Sequence, residues 1–132
     1  MNVTEIVPQL QDIADLKQEH LIVFSLNSAQ EIIAKRTVAI GTLTSVIAHP
    51  REVYADPLAD RAAAIIIAHN HPSGDLRPSD GDITMTQQLI AAGQILAIPL
   101  YDHIIVNGKK HFSFRSEGFI SAAKYIAKEG IL

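Results

Sequence analysis

Apolar residues recur along the chain in more than one rhythm, and each rhythm predicts a different element. Between about Pro8 and Lys17, Leu10, Ile13, Ala14 and Leu16 fall at near-helical spacing, which predicts a short helix. Leu21 to Leu26 (LIVFSL) is a β-rich apolar run ended by the turn signal Asn27-Ser28, so a strand is expected there. Glu31 to Thr42, with apolar Ile33, Val38 and Ile40, predicts a second strand close enough to form a hairpin with the first. Val46 to Ala48 adds a few more strand residues. Pro50 suits the first turn of a helix running to about Arg61, with a kink or early end at Pro57. Ala62 to Ala68 (AAAIIIA) is apolar on both alternations, the mark of a strand buried on both faces. Asp80 to Ala92 predicts a helix closed by Gly93. Ile95 to Val106 predicts one or two strands interrupted at Pro99. Asn107-Gly108 is then a hairpin turn into Lys110 to Phe114. A last helix is expected from about Gly118 to Lys128. Strands and helices in mixed order imply an α/β fold, a sheet flanked by helices.

Composition narrows this picture. A chain of 132 residues suits a single domain spanning 1–132. With 48% apolar and 19% charged residues it has enough to bury. The net charge of −3 weighs against nucleic-acid binding, which needs clustered Lys and Arg. The densest basic cluster, Lys109-Lys110-His111, is short and reads as a solvated turn. There is no cysteine, so no disulfide can form and any metal must be held by His, Asp, Glu or water. That fits a reducing, cytoplasmic setting. Met1 to Glu5 shows no signal-peptide pattern, and no stretch reaches the roughly 18 apolar residues of a membrane span. A soluble protein without a membrane partner is expected. Oligomeric state cannot be read from the sequence.

The chemistry gathers in Ala68 to Asp82, AHNHPSGDLRPSDGD. His69 and His71 are two apart at the end of the buried strand, so both imidazoles leave on one face while Asn70 points away. Pro72-Ser73-Gly74-Asp75 reverses the chain, with Gly74 free to take positive φ. Pro78-Ser79 leads into the next helix, whose first turn brings Asp82 back toward the strand end. His69, His71 and Asp82 then form a three-ligand site for one metal ion with a fourth position open, the pattern of a catalytic centre. Two imidazoles favour zinc over a hard ion such as magnesium. Such an ion would lower the pKa of its water from about 15.7 to near 7.

Plainer readings compete. A lone histidine near a strand end is commonly just hydrogen-bonded, and Ser79 with Asp82 also makes a capping box that needs no metal. The full spacing H-x-H-x7-S-x2-D favours the metal, and Ser79 and Asp82 can do both jobs. His69-Asn70-His71 is not the nuclease motif of the same letters, which lie far apart in sequence. The chain has neither H-E-x-x-H nor the P-C-x-x-C of zinc deaminases. A two-His-one-carboxylate iron oxygenase is an alternative that stays open, although such sites usually sit in all-β barrels with different spacing.

This spacing resembles the JAMM signature of the JAB/MPN metalloprotease superfamily. More narrowly, HNHPSGD with Ser79 and Asp82, followed by DHIIV at Asp102 to Val106, resembles the RadC family. EHLIVFSLN at Glu19 to Asn27, GTL at Gly41 to Leu43 and HPREVY at His49 to Tyr54 fit as well, so the likeness covers about 19–120. It implies a JAB/MPN (cytidine-deaminase-like) fold with a mixed, curved sheet, and zinc-dependent hydrolysis of a peptide or isopeptide bond in a protein or peptide substrate. It also implies catalytic roles. Glu19 would take a proton from the zinc-bound water and pass it to the leaving amine, and the Ser79 hydroxyl would donate to the developing oxyanion. Without the resemblance, Glu19 ranks no higher than Glu52 or Asp75.

Asp75 reads first as a turn former that could orient a ligand. His49, His103 and His111 read as structural, although His103 could support the site from behind a ligand. RadC-like proteins often carry an upstream helix-hairpin-helix domain, which this chain starts too late to hold; an excised catalytic domain is expected. The rival functions are a DNA-repair-associated nucleic-acid module, disfavoured by the acidic balance, and a non-catalytic scaffold. Retention of Glu19, His69, His71, Ser79 and Asp82 together speaks against the scaffold.

Overall fold

The computed structural model describes residues 1–41 and 48–120. Among these residues five strands form one mixed sheet: β1 (His20–Leu26), β2 (Ile32–Ile40), β3 (Ala64–Asn70), β4 (Leu100–Asn107) and β5 (Lys110–Ser113). Their order is β2-β1-β3-β4-β5. β1 pairs antiparallel with both β2 and β3, β3 pairs parallel with β4, and β4 and β5 form an antiparallel hairpin. The short helices α1 (Val3–Ile6), α2 (Pro50–Val53) and α3 (Ala55–Ala59) precede the long α4 (Asp80–Leu96), which makes the crossover from β3 to β4. The expected α/β sheet with flanking helices is thus the architecture observed.

The doubly apolar β3 is the central strand, and its alternation sorts the core into two layers. Ile65 and Ile67 join Leu21, Val23 and Ile105 beneath Leu89 and Ile90 of α4. Ile66 and Ala68 join Ile22, Phe24, Ile104 and Val106 against Ile6, Leu10, Ile13 and Ala14 of the N-terminal segment. Burying Ile6, Leu10 and Ile13 contributes roughly 5–9 kcal/mol gross, before the ordering entropy is subtracted. That segment is therefore a covering layer of the fold, and it leads directly into Glu19. β2 lies at the sheet edge, so its Ile33 and Ile40 stay exposed. No helix among the described residues is long and apolar enough to cross a membrane.

Several elements depart from the sequence expectation. The first helix is α1 followed by a 3-10 turn at Val7–Leu10, and residues 11–15 form turns; Pro8 has no N–H for the Thr4 carbonyl, so α1 cannot run on through it as an α-helix. The helix expected over Pro50–Arg61 breaks at Tyr54, three residues before Pro57, whose missing N–H leaves the Val53 carbonyl without its helical donor. β3 runs two residues later than predicted, so His69 lies within the strand. The helix expected from Gly118 does not begin there: Gly118 has φ +84 and residues 118–120 are not helical. The rest of that helix, and Thr42 and Val46–Ile47 of the predicted strands, lie outside the described residues, while Ala48 is not in a strand.

The largest departure concerns Gly93. It does not end α4, which runs on to Leu96 and takes in Ile95, a predicted strand residue. The stop is Ala97, at φ 59. Its N–H donates to Gln94 O (3.4 Å) and that of Ile98 to Gly93 O (2.9 Å), the paired bonds of a Schellman ending. An alanine in this left-handed conformation carries a Cβ penalty that glycine avoids. Ala97→Gly is therefore expected to stabilise the fold by about 0.5–1 kcal/mol, read as a higher urea midpoint with an unchanged m-value.

Candidate metal centre

Sheet register brings the first groups together. β1 and β3 align Leu21 with His69 and Val23 with Ile67, so Glu19, two residues before Leu21, shares their face by alternation. Extending that register sets Glu19 across from His71, and its Oε1 lies 3.9 Å from His71 Nε2. Asp82 arrives from the other side. It occupies the first turn of α4 on the buried stripe Asp82, Met85, Thr86, Leu89, Ile90 and Gly93. Ser79 caps this helix. Its Oγ accepts from Asp82 N–H at 3.0 Å, while the Asp82 carboxylate accepts from Ser79 N–H at 2.9 Å. The capping box and the candidate ligand position are one arrangement.

The distances would allow these groups to share one ion. The Nε2 atoms of His69 and His71 are 3.0 Å apart. Asp82 Oδ1 lies 3.3 Å from the first and Oδ2 3.1 Å from the second. Glu19, His69 and His71, all buried, each offer a ligand atom within 4.8 Å of the others. His71 Nδ1 lies 2.6 Å from the Asp75 carbonyl. A carbonyl only accepts, so that nitrogen carries the ring hydrogen and Nε2 presents its lone pair to the site. Bare nitrogen beside carboxylate oxygen is a donor set that could hold a metal ion.

The electrostatics agree. Burial pushes the Asp82 carboxyl up, but the facing His69 and His71 rings, in the state where they carry a proton toward it, together with the Ser79 N–H, outweigh burial and hold the group well below the usual carboxylate range. Burial pulls the His71 pKa down, yet the facing Asp82 and the Asp75 carbonyl leave it raised. A positive charge is thus favoured at this point, and either a proton or a metal ion can supply it.

Around the ligands the structure fixes roles that the sequence left open. Asp75 contributes its main-chain carbonyl to His71. Its carboxylate instead binds Arg77, which holds it down at about 2. Gly74, at φ 87, lets the loop turn sharply enough for that contact. Asn70 does point away from the ligand face, and it is a clamp: it donates to Leu16 O (3.1 Å) and Gln18 O (2.9 Å) and accepts from His20 N–H (2.7 Å). Both chain neighbours of Glu19 are held by this one amide. His103, read as structural, lies with Nε2 2.8 Å from His69 Nδ1. Thr86, which the sequence did not single out, touches both Asp82 O and His103 Nδ1. Its position four residues after Asp82 on a helix was the available signal. His49 and Ser79, both exposed, line the same cavity as Glu19, His71 and Asp82, whereas His111 is exposed on β5.

Comparison with known proteins follows the same outline. A family described as the RadC-like JAB domain matches residues 2–119. A UPF0758 protein of Methanospirillum hungatei is 49% identical over 86% of this chain and 51% of its own length. One from Desulforamulus reducens is 43% identical over 84% and 49%. The UPF0758 protein YsxA of Bacillus subtilis is 42% identical over 84% and 48%. The chain spans about half the length of these relatives. With a family match over nearly its whole length, and the sheet and His-x-His pair in place, the chain belongs to the RadC-like JAB domain family.

Proposed function

We propose that this domain binds one zinc ion on His69, His71 and Asp82 and hydrolyses a peptide or isopeptide-like amide. The observation that carries the reading is the convergence of two imidazole nitrogens and an ionised carboxylate, with a further buried carboxylate, Glu19, 3.9 Å from His71 Nε2. Zinc bound there would supply an acidified water and polarise the scissile carbonyl. The chain's own groups do the rest. Glu19 accepts a proton at its carboxylate and returns it to the departing amine nitrogen. Ser79 uses its Oγ lone pair for the Asp82 N–H, which leaves its O–H hydrogen to donate to the carbonyl oxygen as that gains charge. The open side of the cavity, lined by Met85 and Gln88 as well as Arg77, receives the peptide.

Metal analysis tests the reading. Wild-type protein is expected to purify or reconstitute with one zinc per chain, and His71→Ala to lose stoichiometric zinc while keeping the fold by circular dichroism. Stoichiometric zinc in His71→Ala would remove the site from consideration.

A further inference from the structure

The line of hydrogen bonds running from α4 through Thr86 and His103 to His69 has only one consistent direction. The Thr86 hydroxyl has a single hydrogen and two close neighbours, Asp82 O at 2.8 Å and His103 Nδ1 at 2.6 Å. A carbonyl oxygen can only accept, so the hydrogen goes to Asp82 O and Thr86 Oγ1 is left as an acceptor. His103 Nδ1 must then carry the ring hydrogen. His103 is completely buried, and among the described residues its two ring nitrogens meet a hydroxyl and another imidazole rather than a carboxylate, so the ring is neutral. Its Nε2 is therefore bare and accepts from His69 Nδ1 at 2.8 Å. That places the hydrogen of His69 on Nδ1 and leaves its Nε2 lone pair facing Asp82. The opposite direction would set oxygen lone pairs of Thr86 and Asp82 against each other at 2.8 Å. It would also put a hydrogen on the nitrogen that has to bind metal. The His103 ring cannot readily turn over to exchange its two nitrogens, because Phe114 stacks on it at 4.2 Å with planes 4° apart.

We propose that Thr86 and His103 act together as positioning residues that lock His69 in the Nδ1–H tautomer, so that its metal-binding nitrogen is set before any ion arrives. The inference rests on the zinc reading for its purpose, but the tautomer itself does not. The relay also ties the ligands to one another. The helix that delivers Asp82 also delivers, four residues later, the hydroxyl that orients His69.

Nitrogen-15 NMR of the imidazoles in metal-free protein, on the alkaline side of the histidine range, reads the tautomer directly. Wild type is expected to show His69 with Nδ1 protonated and His103 likewise. Thr86→Val, which keeps the shape and removes the hydroxyl, is expected to mix the His69 tautomers and weaken Zn2+ binding about 10- to 100-fold in chelator competition. Thr86→Ser should restore both readouts. A wild-type spectrum with His69 protonated on Nε2 overturns the proposal without recourse to any variant. So does a Thr86→Val protein with unchanged tautomer and unchanged Zn2+ affinity. Failure of wild type to bind Zn2+ would count against the zinc reading alone, since the spectrum decides the tautomer without metal.

Discussion

Glu19→Gln is expected to keep one zinc per chain and to lose about 10²- to 10⁴-fold in the rate of amide hydrolysis, the usual contribution of a positioned proton acceptor. Glutamine preserves the length and the hydrogen-bonding oxygen of the side chain, so the buried position just before β1 stays filled. What disappears is the ability to hold a proton between its removal from water and its delivery to the amine. The proposed ligand set of His69, His71 and Asp82 is untouched, which is why zinc content and turnover should separate. The measurement is a screen of peptide and isopeptide amides with both proteins, metal content being determined on the same samples. A Glu19→Gln protein as active as wild type would show that another group handles the proton.

Among the described glycines whose surroundings are known, Gly93→Ala is expected to be the most damaging by steric contact. A Cβ there would sit 2.4 Å from Tyr54 Oη and 2.6 Å from Ile98 O. Neither neighbour can move cheaply. Tyr54 is fully buried and its hydroxyl reaches Leu89 O (3.1 Å) and Ile98 O (3.0 Å), while Ile98 O is backbone in the turn leading to β4. Overpacking of this kind costs about 1–3 kcal/mol, and stranding a buried hydroxyl about 1–3 more. A loss of about 2–6 kcal/mol follows, which at this chain length lowers the melting temperature by roughly 6 °C or more. Thermal unfolding followed by circular dichroism checks it. A midpoint within a degree or two of wild type would mean that the end of α4 can slide away from Tyr54.

These two positions show where sequence reasoning reaches and where it stops. His69, His71 and Asp82 were legible because their meeting depends on local rules: strand alternation places the imidazoles, and a short turn returns the first turn of the next helix to the same spot. Glu19 was not legible from local rules. Its place depends on β1 pairing with β3, a contact between segments some fifty residues apart that no periodicity encodes, and only the family resemblance supplied it. Gly93 misled for a related reason. Glycine near the end of an apolar repeat reads as a stop, but here it is small because Tyr54 and Ile98 press against it. His103 looked like a lone histidine because its partner His69 lies on a parallel neighbouring strand, and Thr86 looked like a neutral helix residue.

The Asn70 clamp gives the β1–β3 pairing a significance beyond its contribution to stability. Strand β3 carries two imidazoles on one side and, between them on the other, the amide that grips the residues either side of Glu19. A slip of a single position between the two strands would turn the carboxylate to the far side of the sheet and put His20 in its place. Correct alignment of these two strands is thus what puts the Glu19 carboxylate on the same side of the sheet as both imidazoles, so the register that stabilises the sheet also assembles this part of the cluster.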